Sequence, residues 1–374
     1  MEKMKKRVLT LTTYDVYNYG ASLQAYALQQ YIMNHGCNSE LINYQPDYLT
    51  RKYDYHWVNP ESKLSRYAIT RVIYRSLKYI QRQTTMGRKR AFDSFHQDFL
   101  VQGKRYRTHQ ELCDNPPKAD VYIVGSDQIW NTFYETGQDG AFYLDFVKEG
   151  VKASYAASFS YTEISEEWKE RIAVWLKQFN KIAVREYHGL DILKDMNIEG
   201  QWVLDPVFLL PIEQWKTIMT PFEKKEKYLL VYDFENNADI KSFCLQYAKE
   251  KGLKIYSIND TYPCFYADRN FSSAGPREFL TLIYNCDAFV SNSFHGTAFS
   301  IIFNKPVFVF NRNRHKVNSR MESLTSLFGI RDCVIDTQRN YSEYINRIFD
   351  YESINTIYKK ELVESVNYLK QLLA

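Results

Sequence analysis

A short apolar strand that breaks into a polar turn and then a helix opens this chain, and that pattern limits its folds more than any other feature. Residues 8–13 read as a buried strand, 15–20 as a polar turn, and 21–34 as a helix with Leu23, Tyr26, Ala27 and Tyr31 on one face. His35-Gly36 stops the helix and residues 40–44 resume as a strand. A βαβ opening of this kind implies a mainly parallel sheet, since the crossover helix must return the chain to the same edge.

The pattern recurs. Residues 47–110 read as an irregular, basic insertion containing helices. Strands are expected at 121–125, 152–160, 182–185 and 202–204, with helices at 166–179 and 186–196. A second α/β unit begins after Asp205-Pro206, with strands at 228–232, 254–258, 288–291, 306–310 and 334–335 and helices at 238–251, 276–285, 295–303 and 319–328. The expected fold is α/β and GT-B-like, with two Rossmann-like domains facing a central cleft. Their spans are 1–206 and 207–352, and a closing helix over 353–374 packs back on the first.

At 374 residues, with 45% hydrophobic and 25% charged, the chain is long enough for two cores. A net charge of +4 and the lack of any recognised module exclude a nucleic-acid binder. The six cysteines are scattered with no CxxC pair, as in reduced cytoplasmic thiols, and fit neither a disulfide framework nor a zinc site. The N-terminus reads as a first strand instead of a signal peptide, and no run approaches the roughly 20 apolar residues that span a bilayer. No His/Asp/Glu ligand cluster stands out, so neither metal nor cofactor is expected. The 31 Tyr, 23 Phe and 6 Trp suit sugar stacking, and equally suit cores.

Three segments carry polar groups where a strand hands over to a helix. In NYGASLQAYALQ (18–29), Asn18 offers an amide, Tyr19 follows it, and Gly20 lets the backbone approach a ligand; an ordinary tight turn has the same spacing. In VGSDQIWN (124–131), Ser126, Asp127, Gln128 and Asn131 crowd beside Trp130, whose flat face suits a sugar. Asp127 can orient or deprotonate a hydroxyl, and Ser126 or Asp127 can instead cap a following helix. In VSNSFHGTAFS (290–300), Ser291, Asn292, Ser293 and Thr297 surround His295-Gly296 at a helix start, the geometry of an anion site. A histidine there meets a phosphate or passes a proton. Two arginines join them. Arg185 ends an apolar strand and should point into the cleft, and Arg320 opens a helix after the RNRHK cluster. Guanidinium forks match carboxylates and phosphates.

NYGASLQAYALQ, VGSDQIWN, AVREYHGLDILKDMNI, WVLDPVFLL and SNSFHGTAFSIIFNKPVFVF together resemble the polysaccharide pyruvyl transferase family, in the family's order and approximate spacing. The resemblance implies a GT-B-like fold, phosphoenolpyruvate as co-substrate, and as acceptor a sugar of a cell-surface polysaccharide precursor, lipid-linked, with the first domain on the acceptor side. His295 then serves as acid or phosphate ligand, Arg185 as anion clamp and Asp127 as hydroxyl orienter, with Asn18 and Gly20 completing the wall. The chain departs from the family at one point. Where the family has Arg-x-His-Gly, this sequence has Ser293-Phe294-His295-Gly296, so a serine replaces the donor-holding arginine, and Arg320, Arg312 or Arg314 is left to compensate. A sugar-nucleotide-dependent glycosyltransferase would use the same cleft and arginines, and a sugar-binding module would leave His295 idle.

Residues 63–90 hold nine Lys or Arg and no Asp or Glu. Arg71, Arg75, Lys78 and Arg82 share one helical face, with Ile69, Ile73, Leu77 and Ile80 on another. Such a helix suits anionic lipid at the inner face of the cell membrane, or a solvated face packed on the first domain.

Overall fold

Strands that are apolar on both faces need cover on both sides, and RVLTL, VYIV, YLLVY and AFVS, each buried almost throughout, become the central strands of two parallel sheets. The computed structural model describes residues 5–50, 67–259, 263–312 and 318–374. Lys63 and Arg66 of the basic stretch, and Arg314, lie outside the described residues, as do the side chains of Arg75, Leu77, Lys78, Ile80 and Arg82.

The first unit comprises β1 (Arg7–Leu11), α1 (Tyr19–Asn34), β2 (Asn38–Tyr44), α2 (Asp47–Thr50), α3 (Ala68–Phe99), β3 (Gln102–Tyr106), α4 (His109–Asp114), β4 (Val121–Val124), β5 (Val151–Ser154), α5 (Glu166–Leu176), β6 (Ala183–Val184), α6 (Tyr187–Asp195) and β7 (Gln201–Trp202). Its sheet has the order β3-β2-β1-β4-β5, and single bridges from Ala153 to Lys181 and Ala157 to Val184 extend it to the β6-β7 pair. The second unit runs through α7 (Ile212–Ile218), β8 (Tyr228–Tyr232), α8 (Ala238–Lys251), β9 (Lys254–Ser257), β10 (Arg269–Asn270), α9 (Pro276–Asn285), β11 (Ala288–Ser291), α10 (Phe294–Ile302), β12 (Val307–Val309), α11 (Ser319–Leu327) and α12 (Ser342–Ile345), before α13 (Tyr351–Leu373). The order there is β10-β9-β8-β11-β12, with Val334 bridged to Val309. In both sheets the order reverses beside the first strand, so the loops after β1 and β4, and after β8 and β11, open the crevices where α/β proteins bind ligands.

α1 joins the units. Its N-cap Asn18 accepts from Ala21 N at 3.2 Å, and most of its residues are buried because both units pack on it. Tyr19 stacks on Phe279 of α9 with centroids 4.4 Å apart and donates to Ala274 O, and Tyr26 meets Trp215 of α7. One apolar core runs from β1 through α1 into α9 and α10. Buried Arg88 of α3 adds a polar clasp, donating to Tyr19 Oη and Ala274 O. α13 leads back to the first unit, where Tyr368 Oη donates to Ser154 O at 2.7 Å and Ser365 Oγ accepts from Leu204 N.

Among its described residues, the stretch read as an irregular insertion containing helices holds a helix, as expected, and a strand that was not. It contains the 32-residue α3 and the edge strand β3. QGKRY is polar, with only Tyr106 buried, so no apolar alternation marked it as a strand. The strand expected over 152–160 ends at Ser154, because Ala156 (φ 52°) and Ser160 (φ 65°) adopt left-handed backbone. At the start of α3, Ile69 is 77% exposed, with Val72 and Ile73 also exposed. Among the described residues no helix is long and apolar enough to cross a membrane. All six cysteines are free.

Candidate active site

A carboxylate inside an apolar run must find partners, and Asp205 of WVLDPVFLL finds four. It is fully buried, and its Oδ2 accepts from Ser126 Oγ at 2.8 Å and from Arg185 Nη1 at 3.0 Å, with His295 Nε2 at 3.5 Å. Its Oδ1 accepts from Val207 N. Burial alone would raise its pKa, but His295 and Arg185 hold it well below the usual carboxylate range.

Arg185 sits at the centre. Its side chain is 1% exposed; Nε donates to Glu186 Oε1 at 3.0 Å, Nη1 reaches Asp205, and Asp127 Oδ1 lies 3.6 Å away. Burial would favour the neutral form, yet Glu186, Asp205 and Asp127 hold the guanidinium firmly charged. Its Cζ lies 4.3 Å from the centroid of the Phe294 ring of the second unit, so the arginine bridges the two units instead of pointing into open cleft. Nη2 is buried with no partner among the described residues.

His295 follows the N-cap of α10, where Ser293 Oγ accepts from Gly296 N at 3.3 Å and Thr297 Oγ1 donates to Ser293 O. Its ring abuts α1 so closely that a Cβ on Gly20 would lie 1.9 Å from Nδ1. Gly20 therefore admits the imidazole, where the sequence suggested it admits a ligand. Ser126 and Arg185 take the better positions on Asp205 Oδ2, so Nε2 has no hydrogen-bond partner. Gly20→Ala is expected to shift the ring and destabilise the fold by about 1–3 kcal/mol, as overpacking does. Thermal melting together with activity checks it.

Arg320 of α11 is buried. Burial and the neighbouring Arg185 push its pKa down to about 10, so it stays a cation near neutrality. With the Gln128 amide oriented to satisfy its neighbours, its oxygen accepts from Arg320 Nη1 at 2.9 Å and Nη2 at 3.2 Å, and its nitrogen donates to Ser160 Oγ. Arg320 Nε is unpartnered, and no carboxylate pairs with this cation among the described residues. Ser319 and Glu322 beside it, with Thr162 and His188 opposite, line an open groove of about 560 Å³ between the units.

The remaining sequence candidates fall into two groups. Asp127 joins the cluster on a left-handed turn (φ 72°) after Gly125, where a Cβ would meet Tyr155 O at 2.2 Å. Asn292 ties the loops after β8 and β11 together, donating to Asp233 Oδ1 and accepting from Phe234 N. Trp130, by contrast, is fully buried, stacked on Tyr143 with Nε1 donating to Phe142 O, and its face meets no sugar. Tyr19 is equally enclosed. Asn131 accepts from Phe133 N within its own loop, Ser291 donates to Tyr232 O, and Asn18 is a helix cap. Arg312 lies 3.5 Å from Glu235, so it has a carboxylate already.

Residues 18–314 match the family described as polysaccharide pyruvyl transferase. The chain belongs to that family. No curated protein matches it significantly. Its backbone is similar to that of Staphylococcus aureus MnaA, solved with UDP, at 11% identity and a TM-score of 0.52, covering 98% of this chain and 97% of that one. It is also similar to the UDP-GlcNAc 2-epimerase of Methanocaldococcus jannaschii, at 11% identity and a TM-score of 0.48, covering 98% and 100%. The fold is GT-B-like.

Within this family member, Asp205, Glu186 and Phe294 join the candidate site without having been singled out by the sequence. Asp205 had been only a domain boundary, although a lone carboxylate amid apolar residues signals a paired buried charge. A grouping with metal-ligand chemistry also emerges where none was expected: the ligand atoms of His109, Cys113 and Asp145 lie within 4.8 Å of one another. His109 is paired with Asp145 at 2.7 Å, a hydrogen bond that raises its pKa.

Proposed function

We propose that this transferase forms a pyruvyl ketal on a sugar of a polysaccharide precursor, with phosphoenolpyruvate as donor. The observation that carries this reading is Arg320, a buried guanidinium with no carboxylate partner among the described residues, which lines one small cavity with Arg185, whose Nη2 is unpartnered. An unpaired buried cation costs several kcal/mol, which a bound anion offsets. Phosphoenolpyruvate brings a carboxylate and a phosphate to two guanidinium groups. Arg320 thus supplies the charge that Ser293 lacks.

In this reaction His295 gives a proton to C3 of the enol, leaving positive charge at C2 that the adjoining ester oxygen shares. One sugar hydroxyl attacks C2, the bond from C2 to the phosphate oxygen breaks with its electron pair leaving on phosphate, and a second hydroxyl closes the ketal. Of the two hydroxyl protons released, one restores the acid and the other leaves with phosphate. Asp205 orients His295 and stabilises charge on its ring, Arg185 and Arg320 neutralise the donor, and Asp127 orients a hydroxyl.

Calorimetric titration with phosphoenolpyruvate tests the donor. Binding that Arg320→Gln weakens roughly tenfold or more, as loss of a charge-assisted bond does, supports the reading. Binding of a sugar nucleotide but not of phosphoenolpyruvate overturns it. The exposed start of α3 offers Arg71 beside Ile69, Val72 and Ile73, which suits an anionic bilayer carrying the acceptor. Vesicle binding is then expected to fall with rising salt, since such attraction is screened within about 8 Å at physiological ionic strength, and sedimentation with anionic vesicles measures it.

A further inference from the structure

The carboxyl edge of the first sheet holds a second, separate cavity. Asp15 after β1, Asn43 in β2, Gln45 just beyond it and Arg105 in β3 form its floor, and Tyr17, Lys89 and Asp93 close it from the side of α1 and α3. It measures about 440 Å³, within the roughly 300–1,000 Å³ typical of small-molecule sites. We propose that this cavity is the acceptor subsite and takes an uncharged hexose unit. The proposal rests on the sugar-modifying reading above and names the substrate class for it.

Charge is the argument. Two carboxylates, Asp15 and Asp93, face two cations, Lys89 and Arg105, so the cavity is balanced, whereas the Arg185–Arg320 site has a cation in want of an anion. Balanced sites do not select phosphates or uronates; they suit a ligand that donates and accepts at many points without net charge. The carboxylates, with Gln45, Tyr17 and Lys89, are also held in place. Gln45 Nε2 donates to Asp15 Oδ2 at 2.7 Å and to Asn43 Oδ1 at 2.8 Å, His96 Nδ1 stands 3.5 Å behind Asp15 Oδ1, and Tyr17 Oη donates to Asp93 Oδ1 at 3.1 Å, with Lys89 paired to the same carboxylate. Each carboxylate keeps lone pairs for sugar hydroxyls, and Arg105 supplies donors for the ring and glycosidic oxygens. Tyr17 supplies an aromatic wall. The loop from Asp15 to Asn18 continues directly into Gly20, against which His295 packs, so the cavity and the reacting centre share one short segment.

Saturation-transfer NMR with p-nitrophenyl glycosides of neutral hexoses, N-acetylhexosamines and uronic acids tests this without any donor. At least one neutral glycoside is expected to bind, the uronides not, and Asp15→Asn and Arg105→Gln are each expected to weaken that binding roughly ten- to hundredfold, as loss of hydrogen bonds to charged groups does. Both substitutions should leave phosphoenolpyruvate binding within about twofold. Sugar binding lost in the variants supports the subsite even if phosphoenolpyruvate proves not to be the donor. Sugar binding that survives both substitutions, preference for uronides, or no binding by any glycoside overturns it.

Discussion

Replacing His295 by alanine is expected to lower turnover about a hundredfold or more, the usual cost of a lost general acid, which corresponds to about 2.7 kcal/mol of barrier. The imidazole sits between Gly20 of α1 and Asp205 of the first unit, and Nε2 alone of its nitrogens faces a carboxylate that is already taken by Ser126 and Arg185. Removing the buried ring leaves a void at a helix start and takes a partner from Asp205, so some stability is lost as well and turnover is compared at a temperature where the variant is folded. Donor affinity should fall far less than turnover, because Arg185 and Arg320 remain. Asp205→Asn, which preserves shape but removes the charge behind the ring, should lower turnover by a smaller factor and alter the pH profile. Near-normal turnover in His295→Ala at that temperature would remove His295 from the chemistry.

A different loss is expected for Arg185→Ala. That change strands Asp205, Glu186 and Asp127 in a space the guanidinium filled, and breaking a buried ion pair from one side costs about 3–5 kcal/mol. The melting temperature should drop by several degrees and activity should disappear. The acid side of the stability curve moves as well. Asp205 has a depressed pKa in the folded protein, so its contribution is present above the unfolded value of about 3.9 and is lost only as pH falls through the lower folded value. Without Arg185, burial acts on Asp205 with less opposition, and the loss should begin at higher pH. Arg185→Lys keeps a charge but not the fork, so it should recover part of the stability and little of the donor affinity. Melting curves between acid and neutral pH measure all three. Unchanged stability in Arg185→Ala would mean that the cluster does not hold the two units together.

The arrangement of strands was legible because most of them are short apolar runs bounded by turn residues; YLLVY and AFVS were placed to the residue. β3 was not, since a polar edge strand written QGKRY carries no apolar alternation. The site was legible where strand ends meet helix starts, as with Asp127 and His295, and illegible where chemistry depends on which groups the fold brings together. Trp130 illustrates one failure: nothing local distinguishes an aromatic that faces a sugar from one stacked on Tyr143. Asp205 illustrates the other, because its partners Ser126, Arg185 and His295 come from three distant segments. Arg320 lay between these cases. Its burial, and its lack of a carboxylate among the described residues, follow only from packing of α11 against the first unit, where Ser319 Oγ donates to Ser160 O.

Mass spectrometry of a lipid-linked neutral oligosaccharide after incubation with the protein and phosphoenolpyruvate tests the central claim most directly. Acceptor gaining the mass of one pyruvyl ketal, with phosphate released in equal amount and neither seen with His295→Ala, is the expected result. An acceptor unchanged with phosphoenolpyruvate but one hexose heavier with a sugar nucleotide would contradict it.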